Sequence, residues 1–165
     1  MSSKEAIAEI WQLLEAVTDP EIPVLTVRDM GIVRDVRQSP DGITEVVITP
    51  TYSGCPAMHT IEINIKAVLQ EHGFENVKVT SVLHPAWTTA WLTTQGREKL
   101  LAYGIAPPVE ETVDKTALFG GEKNISCPLC SSTHTQMISQ FGSTACKALY
   151  RCLDCLEPFD YFKCH

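Results

Sequence analysis

The sequence predicts an α+β fold in which a domain with the element order α-β-β-α-β-α is followed by a small zinc ribbon. Three observations lead to this prediction. Apolar residues recur at helical spacing in two segments, β-like runs flank turn residues, and two Cys-x-x-Cys pairs lie near the carboxy terminus. The length of 165 residues suits a domain of about 110 residues plus a small module. We expect the domain at 1–105, a linker at 106–124 and the ribbon at 125–165.

The first helix is predicted over 2–17, where Ser2 and Glu5 form a capping box ahead of apolar residues at helical spacing. The prolines of Asp19-Pro20-Glu21-Ile22-Pro23 then end the helical pattern. Two carboxylates in one rigid loop are candidates to bind a metal or cofactor. The alternative is that Asp19 caps a turn and Glu21 is a solvated charge.

An antiparallel hairpin is predicted next, because β-like runs at 31–38 and 43–50 flank the turn residues Ser39-Pro40-Asp41-Gly42. Its second strand leads to Cys55-Pro56 and to a second helix that ends near Gly73. A thiol at a helix N-terminus faces the positive end of the helix dipole, which favours thiolate. Cys55 is therefore the candidate reactive thiol; the alternative is a small residue buried at a strand-to-helix turn.

The rest of the domain is predicted as a third strand at 77–83 and a short helix at 95–103. Between them lie Trp87 and Trp91, which we expect to pack in the core rather than to line a binding site. Prolines, acidic residues and a Gly-Gly pair then mark the linker.

The ribbon contains Cys127-Pro-Leu-Cys130 and, after twenty-one further residues, Cys152-Leu-Asp-Cys155. Each two-residue spacer lets the chain turn so that both sulfurs face one ion, and four thiolates complete a tetrahedral Zn²⁺ shell. The alternatives are an iron–sulfur cluster on the same thiols and four ordinary buried cysteines. Strands are expected at 135–141 and 145–151. For Cys146 we expect structural burial, and for Cys164 an exposed, disulfide-prone position; the alternative is that either is a spare thiol or a fifth candidate ligand near the metal.

Charge and cysteine usage limit the function classes. A formal net charge of −7 does not favour nucleic-acid binding, which depends on Lys and Arg contacts to phosphates. The odd number of seven cysteines and the absence of a signal peptide or long apolar run favour a protein of the reducing cytoplasm, without a membrane partner. The sequence has no nucleotide loop, flavin fingerprint or di-iron helix motif, so we expect the chain itself not to be a catalyst.

Longer motifs carry a family resemblance. The 19–23 loop, the run Pro50-Thr-Tyr-Ser-Gly-Cys-Pro-Ala57 and Pro85-Ala-Trp-Thr-Thr89 resemble the SufT-like domain of iron–sulfur cluster assembly proteins. With the run Phe141-Gly-Ser-Thr-Ala-Cys-Lys-Ala-Leu-Tyr-Arg-Cys152, nearly the whole chain resembles the PaaD (PaaJ) family associated with bacterial phenylacetyl-CoA epoxidase.

The resemblance implies a two-layer assembly domain with a zinc ribbon, acting in aerobic phenylacetate breakdown. It implies an accessory protein that matures or inserts the metal centre of a partner, with Cys55 as the assembly domain's reactive cysteine and a transient iron–sulfur cluster as its cargo. The partners would be the oxygenase and the iron–sulfur/flavin reductase; a homodimer is a further expectation. Two alternatives stay open: a non-catalytic subunit of the epoxidase, and a thiol enzyme that uses Cys55.

Overall fold

The computed structural model describes residues 3–109 and 124–163, which fall into two compact units that divide between Gly96 and Arg97. Ser2, most of the expected linker and Cys164 lie outside the described residues. The α+β fold class predicted from the sequence is confirmed. Among the described residues, no helix is both long and apolar enough to cross a membrane.

The first unit follows the predicted order of elements. Helix α1 and a short 3₁₀ turn precede strands β1 and β2, helix α2, strand β3, a second 3₁₀ turn and the start of helix α3. Their bounds are α1 Ser3–Leu13, the first 3₁₀ turn Leu14–Ala16, β1 Val33–Gln38, β2 Thr44–Ile48, α2 Ala57–Glu71, β3 Val77–Ser81, the second 3₁₀ turn Thr89–Trp91 and α3 Thr94–Ala102.

These strands form a sheet in the order β1-β2-β3. The β1–β2 pair is the predicted antiparallel hairpin, with Gln38 opposite Thr44. Strand β3 runs parallel to β2, with Val77 beside Thr44, because α2 returns the chain to the same end of the sheet. Helices α1 and α2 contact each other and pack on β1 and β3, respectively, which gives helix and sheet layers.

The core of this unit is built from one face of each helix and the inward side of the sheet. Helix α2 buries Ala57, Ile61, Ile65 and Leu69, which are spaced four residues apart and so share one face. The half-buried Met58 and Val68 border this face. Burying the aliphatic side chains removes apolar surface from water, which stabilises the folded state by about 25 cal/mol for each Å² of apolar surface buried.

The segment after β3 is fixed to the loop before β1. The ring of Trp87 is buried and its Nε1–H donates to the Met30 carbonyl at 2.7 Å. Gly31 has a φ of +66°, and a Cβ added there would lie 2.5 Å from the Trp91 carbonyl oxygen. Trp91 is half-buried beneath the Arg34 guanidinium, which lies 3.5 Å from the ring centroid. The expectation of core packing is therefore confirmed for Trp87.

The second unit contains a four-stranded sheet in the order β4-β7-β6-β5. Strands β5 and β6 form the hairpin predicted from the sequence, whereas β4 and β7 were not predicted. Ile105 and Ala106 pair with β7, so the chain enters this sheet at the start of the expected linker. The bounds are β4 Ile105–Ala106, β5 Thr135–Ser139, β6 Lys147–Cys152 and β7 Pro158–Phe162.

A small core supports the second sheet. Tyr150 is central to it, with its ring stacked on Phe159 and edge-on to Tyr161 at centroid distances of 5.9 and 5.6 Å. The core also includes two of the ribbon cysteines. Its buried members are Ala106, Ile125, Cys127, Ala148, Tyr150, Cys152, Phe159 and Tyr161. So few apolar residues are too small a core to fold without help from a metal or another crosslink.

Candidate metal centre and reactive loop

The structure brings together the four ribbon cysteines that the sequence pairs as two knuckles, Cys127–Cys130 and Cys152–Cys155. All four Sγ atoms lie within 4.8 Å of one another. The sulfurs of Cys127 and Cys155 are 3.8 Å apart, and those of Cys130 and Cys152 are 3.5 Å apart. Each of these close pairs therefore joins one knuckle to the other.

These distances suit a tetrahedral metal ion. With metal–sulfur bonds of about 2.3 Å, the edge of a regular tetrahedron of thiolates is roughly 3.8 Å. The two close sulfur pairs match this edge to within a few tenths of an ångström. Four soft sulfur donors favour zinc or iron over magnesium or calcium, which prefer oxygen. The donor set leaves no position open for a substrate.

The two knuckles have the same local conformation. Ser131 and Leu156, which directly follow the second cysteine of each knuckle, both have positive φ values of 63° and 66°. In the first knuckle, the amide of Cys127 donates to the Ser132 carbonyl at 2.8 Å. In the second, the equivalent amide of Cys152 donates to the Glu157 carbonyl at 3.0 Å. Each turn thus folds its two sulfurs to the same side.

The thiols differ in how readily they lose a proton. The backbone amide of Cys155 holds the pKa of Cys152 at about 6, below that of an ordinary thiol, against the opposing effect of burial. The pKa of Cys155 is raised to about 12, because burial and the neighbouring sulfurs outweigh the amide of Glu157. Likewise, the pKa of Cys130 is raised although the amide of Ser132 acts in the opposite direction. Several thiolates this close together need a cation between them.

Polar side chains join the knuckles on their exposed side. Asp154, inside the second knuckle, accepts a hydrogen bond from the Ser132 hydroxyl and lies 3.2 Å from His134 Nδ1. These two contacts, led by the Ser132 hydroxyl, lower the pKa of Asp154. The amide of Leu153 donates to the His134 carbonyl at 2.8 Å. This bridge was not predicted from the sequence, where its only signal is an acidic residue within a Cys-x-x-Cys pair.

The candidate reactive thiol lies in the tight loop that precedes α2. Gly54 has a φ of +80°, Cys55 follows half-exposed, and Pro56 is the N-cap of the helix. The Cys55 amide donates to the Tyr52 carbonyl at 3.3 Å and its carbonyl accepts from the Met58 amide at 3.2 Å. Cys55 is thus one residue before the cap, close to the position expected from the sequence, and accessible to a small partner.

The two acidic residues of the 19–23 loop have different environments. Asp19 is buried, and its Oδ1 accepts from the amides of Glu21 and Ile22 at 2.7 and 2.9 Å. This geometry is that of a carboxylate that caps a turn, the alternative to a ligand role. Glu21 is half-buried. Within the described residues, Cys55, Asp19 and Glu21 do not form a three-ligand group like that of the ribbon.

Other polar and thiol side chains lie near these segments. Thr49, directly after β2, is buried and its hydroxyl has no hydrogen-bond partner among the described residues. His59 on α2 and His84 after β3 are exposed. Cys146, the spare thiol of the ribbon, is buried as expected, with Thr144 Oγ1 3.1 Å from its sulfur. It is not part of the four-cysteine group.

Comparison with protein families identifies both parts of the chain. Residues 7–82 match the iron–sulfur cluster assembly protein family, and residues 111–163 match the PaaD zinc β-ribbon domain. The first match contains the loop of Cys55, and the second contains all four clustered cysteines.

Individual relatives agree with these assignments. The chain is 50% identical to an Escherichia coli K12 protein named as a 1,2-phenylacetyl-CoA epoxidase subunit, over 96% of this chain and 93% of that one. It is 37% identical to the Bacillus subtilis Fe-S protein maturation auxiliary factor YitW, over 61% of this chain and 91% of the relative. A solved domain of unknown function from Bacillus anthracis covers 61% of this chain and 95% of its own, with 26% identity and a TM-score of 0.57.

Proposed function

Because the chain belongs to the PaaD family of the 1,2-phenylacetyl-CoA epoxidase system, we propose that it is an accessory protein that matures or inserts a metal centre of that system. The observation that carries the proposal is that two parts with different cysteine sites occur in one chain. An assembly-type domain similar to Fe-S protein maturation factors presents a half-exposed cysteine, and a four-cysteine ribbon follows it.

The ribbon supplies a fixed zinc site in this proposal. Cys127, Cys130, Cys152 and Cys155 hold the ion, which crosslinks the two knuckles and contributes folding free energy. Its closed shell of four thiolates leaves it without a reacting position, so zinc acts here as a structural ion. The ribbon then serves as the docking module that positions the assembly domain beside a client.

Cys55 supplies the transfer chemistry. Its half-exposed position lets the thiolate bind an iron–sulfur or iron cargo and release it again, whereas a fully buried sulfur would retain it. Asp19 keeps the loop in shape through its bonds to two backbone amides, and Glu21 beside it is the remaining candidate ligand for a cationic cargo. The oxygenase and the iron–sulfur/flavin reductase of the epoxidase system are the proposed clients.

The test is to produce the clients in cells that carry wild type, Cys55→Ser or no copy of this protein, and to purify them without oxygen. We expect client iron content and activity to fall with Cys55→Ser nearly as far as without the protein. Zinc content and the circular dichroism spectrum of the Cys55→Ser protein should match those of wild type, because the ribbon does not include this residue.

Cys146→Ser is the matched control, since it makes the same thiol-to-hydroxyl change at a cysteine outside both candidate sites. It should support normal client loading. Full client iron with Cys55→Ser would contradict the role of this residue. A client that is already loaded should also turn over without this protein; if turnover needs stoichiometric addition, the chain is a structural subunit of the epoxidase instead.

A further inference from the structure

The four ribbon cysteines are unequally accessible, although their sulfurs form one cluster. Cys127 and Cys152 are 1% and 0% exposed and belong to the core of the second unit. Cys155 is half-exposed and Cys130 is exposed. The first cysteine of each knuckle is therefore enclosed by the core, whereas the second lies nearer to the surface.

Cys130 is the most accessible of the four. Its neighbours on both sides, Leu129 and Ser131, are exposed as well. A small oxidant in solution can thus reach Cys130 without opening the ribbon, whereas the sulfurs of Cys127 and Cys152 are enclosed. Oxidation of cysteine depends on exposure and on thiolate character, and a zinc-bound sulfur is already a thiolate. Among the ribbon ligands, Cys130 is therefore the sulfur that a peroxide should oxidise first.

A second sulfur is placed to react with an oxidised Cys130. The Cys152 sulfur, in the other knuckle, lies 3.5 Å from that of Cys130. A disulfide bond is about 2.05 Å long, so the two sulfurs need to approach each other by about 1.5 Å. Rotation of the exposed Cys130 side chain can supply this movement while Cys152 stays in the core.

We propose that Cys130 is an oxidation site at which a peroxide opens the zinc shell of the ribbon, and that the product is a disulfide between Cys130 and Cys152. The inference rests on the zinc site of the proposed function. It uses neither Cys55 nor a client, so failure of the maturation role would leave it unchanged.

The reaction has two balanced steps. In the first, the Cys130 thiolate attacks one oxygen of hydrogen peroxide, so that an S–O bond forms, the O–O bond breaks and hydroxide leaves. The sulfur is oxidised by two electrons to a sulfenic acid and the peroxide is reduced. In the second, the Cys152 thiolate attacks the sulfenic sulfur, so that an S–S bond forms, the S–O bond breaks and a second hydroxide leaves. Two of the four zinc ligands are thereby lost, which releases the ion.

This disulfide exchanges a metal crosslink for a covalent one between the same two knuckles. It encloses β5 and β6 in one loop, so the hairpin stays tied at its base while the site loses zinc. Reduction of the disulfide by a thiol such as glutathione restores both thiolates and allows zinc to bind again. The zinc content of the ribbon therefore responds reversibly to a change from reducing to oxidising conditions.

The test treats the full-length, zinc-loaded chain with hydrogen peroxide in the presence of a chromophoric zinc indicator. The remaining thiols are then alkylated and the disulfides are mapped by peptide mass spectrometry. We expect zinc release to match formation of the disulfide between Cys130 and Cys152. Dimedone, which traps sulfenic acids, should label Cys130 before the other three ligands. A thiol reductant with added zinc should restore the original zinc content.

Cys130→His is the informative variant, because three cysteines and one histidine also form a tetrahedral zinc shell. It should hold zinc but release it to peroxide at least about ten-fold more slowly than wild type, since the accessible sulfur is gone. Cys155→His is the matched control, because it makes the same ligand change at the half-exposed cysteine and keeps the Cys130–Cys152 pair. It should release zinc at close to the wild-type rate.

A zinc-loaded chain that keeps its zinc in peroxide would overturn the inference and leave the zinc site intact. So would first labelling at another ligand, a disulfide within one knuckle, or equal release rates in the two histidine variants. If these variants do not hold zinc, the dimedone label and the disulfide map of the wild-type chain decide the question. A chain purified without zinc would overturn both this inference and the zinc site on which it rests.

Discussion

Lowering the pH should weaken zinc binding by the ribbon steeply, because the metal binds thiolates and must displace protons. Before zinc binds, the pKa of Cys155 is about 12 and that of Cys130 is raised, so both thiols are protonated at pH 7. The pKa of Cys152 is about 6, so this sulfur is already ionised at that pH. Zinc binding therefore releases at least two protons.

The size of the pH effect on zinc affinity follows from the number of protons released. Release of two protons lowers the zinc affinity about 100-fold for each unit by which the pH falls. If the ribbon unfolds without metal, all four thiols have ordinary pKa values of roughly 8.5 and four protons leave, which gives about 10,000-fold per unit. If the ribbon stays folded without metal, its zinc affinity should fall still more steeply below pH 6, because Cys152 is then protonated as well.

The slope of the logarithm of zinc affinity against pH is measured by competition with a chromophoric chelator between about pH 6.5 and 7.5. The result is corrected for the protons that the chelator itself binds. A pH-indicator dye counts the released protons directly. Cys146→Ser should give the wild-type slope, because that thiol is outside the cluster. A slope of one proton or fewer per zinc would refute the reasoning, since Cys130 or Cys155 would then either be ionised before zinc binds or not be bound as a thiolate.

Three further predictions concern single residues. Cys152→Ser should abolish stoichiometric zinc and unfold the ribbon strands while the first unit keeps its separate core, as amide spectra and zinc analysis would report. Gly31→Ala should destabilise the first unit by about 2 kcal/mol or more in urea unfolding, because alanine resists a φ of +66° and its Cβ would lie 2.5 Å from the Trp91 carbonyl oxygen. Cys146 should react with a thiol reagent much more slowly than Cys55, since it is buried and Cys55 is half-exposed; equal rates would contradict the burial of Cys146.

Much of the first unit was predictable from local patterns. Proline and glycine mark the β1–β2 turn, and the four-residue spacing of Ile61, Ile65 and Leu69 marks the buried face of α2. That β3 lies parallel to β2 was not predictable from periodicity alone. Parallel pairing depends on where the α2 crossover returns the chain, and this is decided by packing between residues far apart in sequence.

In the ribbon, too, local sequence patterns predicted only some of the strands. Its β5–β6 hairpin was predicted, but β7 begins with a proline and β4 has two residues, so neither has a strong sequence signal. Both strands exist because they pair with chain segments already fixed by the cysteine cluster and by the aromatic core around Tyr150.

The sequence by itself identified the four cysteines that the structure brings together, because a Cys-x-x-Cys turn places two sulfurs on one side whatever surrounds it. Only the tertiary structure decided the roles of isolated polar and thiol groups. The Asp19 carboxylate is bound to two backbone amides, Cys146 is enclosed, and Asp154 joins the two knuckles. A single side chain has no spacing to reveal its partners, so its chemistry depends on which distant residues the fold brings to it.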